Sequence, residues 1–293
     1  MDAPIGIFDS GIGGLTIARA LVERLPRESL YYVGDTAHMP YGDKSPERLN
    51  AYASGIAQRL TQAGCKALVV ACNSASSNAL DAVRKVAGPK VPVIGVVEPV
   101  VHWAQSHHPQ GTLSLIGTRA TVQSGVYQTR MKAHGLALRT RATPLLASAI
   151  EEGFHNGTIP EAVVKAYFAD GWAQDTDGLV LACTHYPLAM SLIQAQLPPA
   201  MPIWMPLPSW QKKSPASFLT NTFCLSVKRL PIVLRSRIGR ALSQMAPPTS
   251  WAAASIWCKS NGPSLMARQA IGTKKRSPRT GLQFGPNGRA VLD

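Results

Sequence analysis

Six short apolar runs, each broken off by a small polar cluster, limit the folds open to this chain. Ile5-Gly6-Ile7-Phe8 stops at Asp9-Ser10, and Tyr31-Tyr32-Val33 stops at Gly34-Asp35-Thr36. Ala67-Leu68-Val69-Val70 runs into Ala71-Cys72-Asn73-Ser74, and Val93-Ile94-Gly95-Val96-Val97 into Glu98-Pro99. Leu113-Ser114-Leu115-Ile116 ends at Gly117-Thr118, and Gly178-Leu179-Val180-Leu181 at Ala182-Cys183-Thr184-His185. Such runs read as strands buried on both faces, with helical stretches between them, such as Leu15 to Leu25 and from Cys72 to about Val86. The alternation predicts an α/β fold of parallel sheets covered by helices. In these sheets ligands bind beyond the carboxyl ends of the strands, where every one of the polar clusters falls.

Ala67-Leu68-Val69-Val70-Ala71-Cys72-Asn73 and Gly178-Leu179-Val180-Leu181-Ala182-Cys183-Thr184 repeat one pattern. The repeat predicts two α/β domains, residues 1–98 and 99–202, facing each other across a shared active-site cleft with a cysteine on each wall. Residues 203–293 differ in character. The formal net charge is +14, yet residues 1–200 carry 16 Lys and Arg against 15 Asp and Glu. The remaining 93 residues hold 14 basic side chains and a single acid, Asp293. This tail can be read as a nucleic-acid-binding arm around Lys274-Lys275-Arg276 and Arg279, or as a solvated face. A third reading, a shifted reading frame, is preferred. Met201 to Phe218 holds four prolines and no period, whereas a frame moved by two nucleotides can encode an acid-containing amphipathic helix.

No apolar run approaches the ~18 residues of a membrane span, and no basic-then-apolar leader opens the chain. The five cysteines (65, 72, 183, 224 and 258) contain no CxxC pair, so free thiols in a reducing cytoplasm are expected rather than disulfides or structural zinc. His102, His107 and His108 have no carboxylate or cysteine at ligand spacing, and no metal site is expected. Gly11-Ile12-Gly13-Gly14 fails the dinucleotide pattern because Thr16 stands where the third glycine is needed. It reads as a tight strand-to-helix turn whose N–H groups have room for a small carboxylate.

Cys72 and Cys183 can be plain buried hydrophobes. Alternatively, a helix starting just after each would lower its pKa and favour thiolate, with His185 assisting Cys183. Two cysteines in matched settings favour chemistry on two faces of one substrate. A cysteine protease or acyltransferase has no use for the second. The Pro/Gly stretch Asp35 to Asp43 is either a substrate cover or a surface turn.

Phe8-Asp9-Ser10-Gly11-Ile12-Gly13-Gly14-Leu15, Gly34 to Gly42, Val70 to Ser76 and Leu181 to Leu188 resemble the aspartate/glutamate racemase family, and in particular its glutamate racemases. The likeness runs from about Ile5 to Leu197. It implies a cofactor-independent, cytoplasmic enzyme that interconverts L- and D-glutamate and supplies D-glutamate for peptidoglycan. By this resemblance Cys183 removes the α-proton of L-glutamate and Cys72 reprotonates the opposite face, the roles exchanging in reverse. Asp9 and His185 tune the two thiols. Substrate contacts carry over to Asp9, Ser10, Tyr41, Gly42, Asn73, Ser74, Thr184 and His185, with Ser74 standing where the family usually has Thr. Glutamate is the expected partner; a homodimer is left open, and nucleic acid is expected only through the basic tail. The family's chain returns to its first domain after the second, adding helices and part of a sheet, and nothing beyond about Pro202 matches that pattern. The competing readings are an aspartate racemase or related two-cysteine isomerase, and an inactive, C-terminally altered copy whose tail binds nucleic acid.

Overall fold

Each of the six apolar runs forms a strand in the computed structural model, which describes residues 3–205. The first sheet contains β1 (Ile5–Asp9), β2 (Leu30–Gly34), β3 (Ala67–Val70) and β4 (Val93–Gly95), in the order β2-β1-β3-β4. The second contains β5 (Thr112–Gly117), β6 (Ala137–Ala142), β7 (Leu179–Ala182) and β8 (Ile203–Trp204), in the order β6-β5-β7-β8. All pairings are parallel, with Ile7 between Tyr32 and Val69 and Leu115 between Thr140 and Val180. The two sheets therefore share one topology, and β3 and β7 are equivalent strands.

Side-chain alternation along the buried strands gives each sheet two apolar faces. In the first, Ile5, Ile7 and Val69 pack with Ile17 and Leu21, while Phe8, Leu68 and Val70 pack with Leu49 and Leu60 on the opposite side. In the second, Ile116, Leu179 and Leu181 meet Leu146, Ile150 and Phe168, while Leu113, Leu115 and Val180 meet Val101, Tyr127 and Met131. In each sheet the chain runs from the first central strand to one edge and returns to the other side. This leaves a crevice at the carboxyl ends of β1 and β3, and another at those of β5 and β7.

Several local expectations are corrected. The run Val93 to Val97 is a strand only to Gly95, and a helix begins at Val97 (Val97–His107) with Pro99 in its first turn. Proline is tolerated there because those N–H groups have no partner within the helix. That helix already packs Val97, Val100 and Val101 against the second sheet. The helical stretch after Cys72 is two helices, Asn73–Asn78 and Leu80–Ala87, broken at Ala79. β6 and β8 were not expected, and β8 carries the second sheet past Pro202. The basic tail from residue 206, with Cys224 and Cys258, lies outside the described residues. Among the described residues no helix is long and apolar enough to cross a membrane.

Candidate active site

β1 and β3 are neighbours, so their carboxyl ends bring Asp9-Ser10 beside Cys72-Asn73-Ser74. Asp9 is fully buried, and its Oδ2 accepts the N–H groups of Gly11 at 3.1 Å and Gly14 at 3.0 Å. The glycine turn thus wraps a carboxylate of its own chain, and the expected room for a small carboxylate ligand at those N–H groups is taken. None of these glycines needs a positive φ. What they supply is space. A Cβ on Gly14 would lie 2.5 Å from Asp9 Cβ, and one on Gly13 would lie 2.5 Å from Thr184 Oγ1 and 2.9 Å from His185 Cε1. The turn from the first half therefore seats the polar cluster of the second.

Cys72 caps the helix Asn73–Asn78, and Cys183 stands two residues before His185, which caps the 3-10 turn Tyr186–Ala189. Both cysteines are buried, and both line one cleft between the two halves. Ser10, Tyr41, Gly42, Asn73, Ser74, Thr184 and His185 line it with them. Asp9 is the one predicted residue that does not. It lies behind the wall, with Thr184 Oγ1 3.5 Å from its Oδ1. Pro40 and Asp43 complete the loop that borders the cleft. This loop is tied down where the Tyr41 hydroxyl donates to Asp35 Oδ2 at 2.6 Å.

Burial pushes the Cys72 thiol up to about 12, with the charge of Asp9 adding to the rise and the donors at Ala75 and Ser10 opposing it. Burial pushes Cys183 in the same direction, against the N–H of His185. Burial therefore works against the thiolate form that the adjoining helix starts favour. The local donors are present, but the cost of a buried charge exceeds what they return.

The surroundings of Cys183 hold a residue that no motif marked. His185 Nδ1 lies 3.6 Å from Cys183 Sγ, and on the far side of the ring Nε2 lies 3.2 Å from Glu151 Oε1. That second approach is off the line a hydrogen bond needs, since Nε2 has no hydrogen-bond partner. Burial pushes the Glu151 carboxyl up to about 7, with Asp9 and Glu152 contributing, and burial lowers His185 so that the ring rests neutral. One signal was available in the sequence. Ala147, Ile150 and Glu151 fall on one face of the helix Pro144–Glu151, putting a carboxylate on an apolar stripe.

Hydroxyl groups join the two halves at the cleft. Ser74 Oγ is 2.9 Å from Thr118 Oγ1, which is 3.0 Å from Thr121 Oγ1. Among the described residues no three His, Cys, Asp or Glu side chains converge to hold a metal ion.

Known proteins resemble this chain over most of its described residues. The chain is 43% identical to the glutamate racemase of Corynebacterium diphtheriae over 194 residues, which are 66% of this chain and 72% of that one. It is 45% identical to that of Beutenbergia cavernae over 194 residues, 66% of each chain. The chain thus spans about two thirds to three quarters of the length of such relatives. The crystal structure of the glutamate racemase from Francisella tularensis in complex with D-glutamate is similar at a TM-score of 0.68 and 30% identity, covering 79% of this chain and 97% of that one. The sequence pattern described as Asp/Glu/Hydantoin racemase matches residues 5–205, and the chain belongs to that family.

Proposed function

We propose that this protein interconverts L- and D-glutamate by two-cysteine proton transfer without a cofactor, and so supplies D-glutamate for peptidoglycan from the cytoplasm. The observation that carries this reading is that Cys72 and Cys183, just beyond the ends of equivalent strands of two sheets, line the same cleft. Inverting a carbon centre needs a base on one face and an acid on the other, and two sulfurs exchange these roles according to the hand of the substrate.

The differing surroundings support an order of events. For L-glutamate, the Cys183 proton passes to neutral His185 through Nδ1, against the direction in which burial holds both groups, and Glu151 beyond Nε2, in its ionised form, stabilises the imidazolium. The Cys183 thiolate then takes the α-proton, and its electron pair is left on the α-carbon and carboxylate. Cys72, held protonated by burial and by Asp9, gives its proton to the opposite face, and D-glutamate forms. In reverse, Cys72 is the base. The α-proton is very weakly acidic, so the charge developing on the carboxylate needs oriented donors. Asn73, Ser74 and Thr184 at the cleft wall are suited to that task, and burial strengthens each contact.

The test is optical. Purified full-length protein given L-glutamate is expected to abolish the circular-dichroism signal of the solution, while Cys72→Ala leaves it intact. A folded protein that leaves the signal unchanged, or a Cys72→Ala variant as active as the parent, refutes the reading. Racemisation of aspartate but not glutamate would replace the substrate.

A further inference from the structure

Asn73 stands on the cleft wall with its two amide atoms in different situations. Oδ1 accepts a 2.7 Å hydrogen bond from the Tyr127 hydroxyl, whereas Nδ2 is buried without a partner. Asn73 is 3% exposed, so the orphaned amine is not solvated, and a buried donor left unpaired is costly.

Tyr127 comes from the other half of the molecule. It lies in the helix Val126–Ala133, is 1% exposed, and packs its ring among Val97, Val101 and Leu113 on the second sheet. Its hydroxyl reaches across to the first half. An asparagine amide can turn over at little cost in shape, so its orientation follows from the hydrogen bonds it makes. Here the phenol decides it. Among the described residues the Tyr127 hydroxyl has Asn73 Oδ1 as its acceptor and no other. If the amide turned over, Nδ2 would donate to the phenol, the buried phenol proton would have nowhere to go, and Oδ1 would face the cleft. Burial also pushes the Tyr127 phenol far above its ordinary value, so it stays a donor at any working pH.

We infer that Tyr127 is a positioning residue that locks the Asn73 amide so that its NH2 group, and not its carbonyl, faces the cleft to receive a carboxylate of the substrate. The inference rests on the racemase reading for the identity of that substrate, but the lock itself belongs to the ligand-free protein. Because Tyr127 and Asn73 sit on opposite halves, the lock also makes the donor array depend on the two halves being in register.

Three measurements on the full-length protein test it. Tyr127→Phe keeps the ring and removes the lock; the glutamate KM is expected to rise about tenfold while kcat changes less than about threefold. In an Asn73→Ala background the same substitution is expected to add less than about twofold, because its target is gone. Asn73→Asp keeps an acceptor for the phenol but turns the donor into an anion, and is expected to bind glutamate at least a hundredfold more weakly with the melting temperature preserved. In ligand-free protein the Asn73 side-chain amide pair, assigned by its absence in Asn73→Asp, is expected as one sharp set of NMR signals that broadens or doubles in Tyr127→Phe. An unchanged KM with an unchanged amide signal in Tyr127→Phe overturns the proposal, as does an equal loss in the Asn73→Ala background. If the parent neither binds nor racemises glutamate, the racemase reading fails, and the amide signal still decides the lock.

Discussion

The two halves share a strand order and place a cysteine at the same strand end, yet they surround it differently. Beside Cys72 are a buried aspartate, already bonded to Gly11 and Gly14, and the N–H groups of a short helix. Beside Cys183 are a neutral imidazole and, behind it, a carboxyl that titrates near neutrality. Repeating a backbone is thus enough to bring two cysteines to one cleft. What each sulfur does is decided by side chains that the repeat does not copy. On this account Cys72 is kept as an acid by a fixed negative charge, and Cys183 is given a place to put its proton.

The largest expected effect removes either wall. Cys72→Ala and Cys183→Ala are each expected to lower racemisation about a thousandfold or more, measured polarimetrically in both directions. A variant retaining a tenth of parental activity would break the equivalence of the two sulfurs.

Next is the asymmetry. His185→Asn is expected to lower kcat/KM about a hundredfold. The equilibrium constant of a racemisation is unity, so this loss must be equal in both directions. The difference shows in isotope effects. With the Cys183 step made limiting, α-deuterated L-glutamate is expected to show a primary effect and α-deuterated D-glutamate little. Equal effects from both hands would remove the assignment of His185 to Cys183.

A smaller effect concerns Glu151. Its folded value of about 7 stands above the ordinary 4.5, so between those limits the folded protein keeps a proton that the unfolded chain has lost. Stability therefore falls as pH rises through that window. Glu151→Gln is expected to flatten the dependence and to exceed the parent above pH 7 by about 1–3 kcal/mol, read from urea unfolding at pH 5 and 8. Parallel curves for the two proteins would place the carboxyl at an ordinary value.

The smallest effect tests what keeps the halves in register. Arg119 and Asp43 pair across the cleft mouth at 3.1 Å, but both are about half exposed. Arg119→Ala is expected to shift stability by less than about 0.5 kcal/mol, and glutamate KM less than twofold, because such pairs are screened and the buried Ser74–Thr118 contact remains. A loss of several kcal/mol would move the weight of the joint to its rim.

Legibility in the sequence follows burial. β1, β3 and β7 were plain because both faces are covered and the runs are wholly apolar. β6 was hidden: Ala137–Ala142 carries Arg139 and Arg141, which hold Asp175 and Asp170 on an edge strand that water reaches. β8 was hidden because two residues, Ile203–Trp204, make no pattern. At the site, Cys72, Cys183, Ser10, Asn73, Ser74, Thr184 and His185 were legible because strand ends deliver them in clusters. Glu151 left only the faint mark of a carboxylate on an apolar stripe, and Tyr127 left none, since a lone phenol on a helix breaks no rule of spacing. Asp9 was legible as a residue but not in its place, because its bonds to the turn behind the wall have no signature in the chain.

Proton bookkeeping in heavy water tests the facing sulfurs most directly. L-glutamate is converted in D2O for less than one turnover on average, and the α-position of each enantiomer is read by mass spectrometry. Two separate sulfurs require that the D-glutamate formed carry solvent deuterium while the remaining L-glutamate keeps its protium. D-glutamate that retains the original α-proton would mean that one group serves both faces, and would contradict the account.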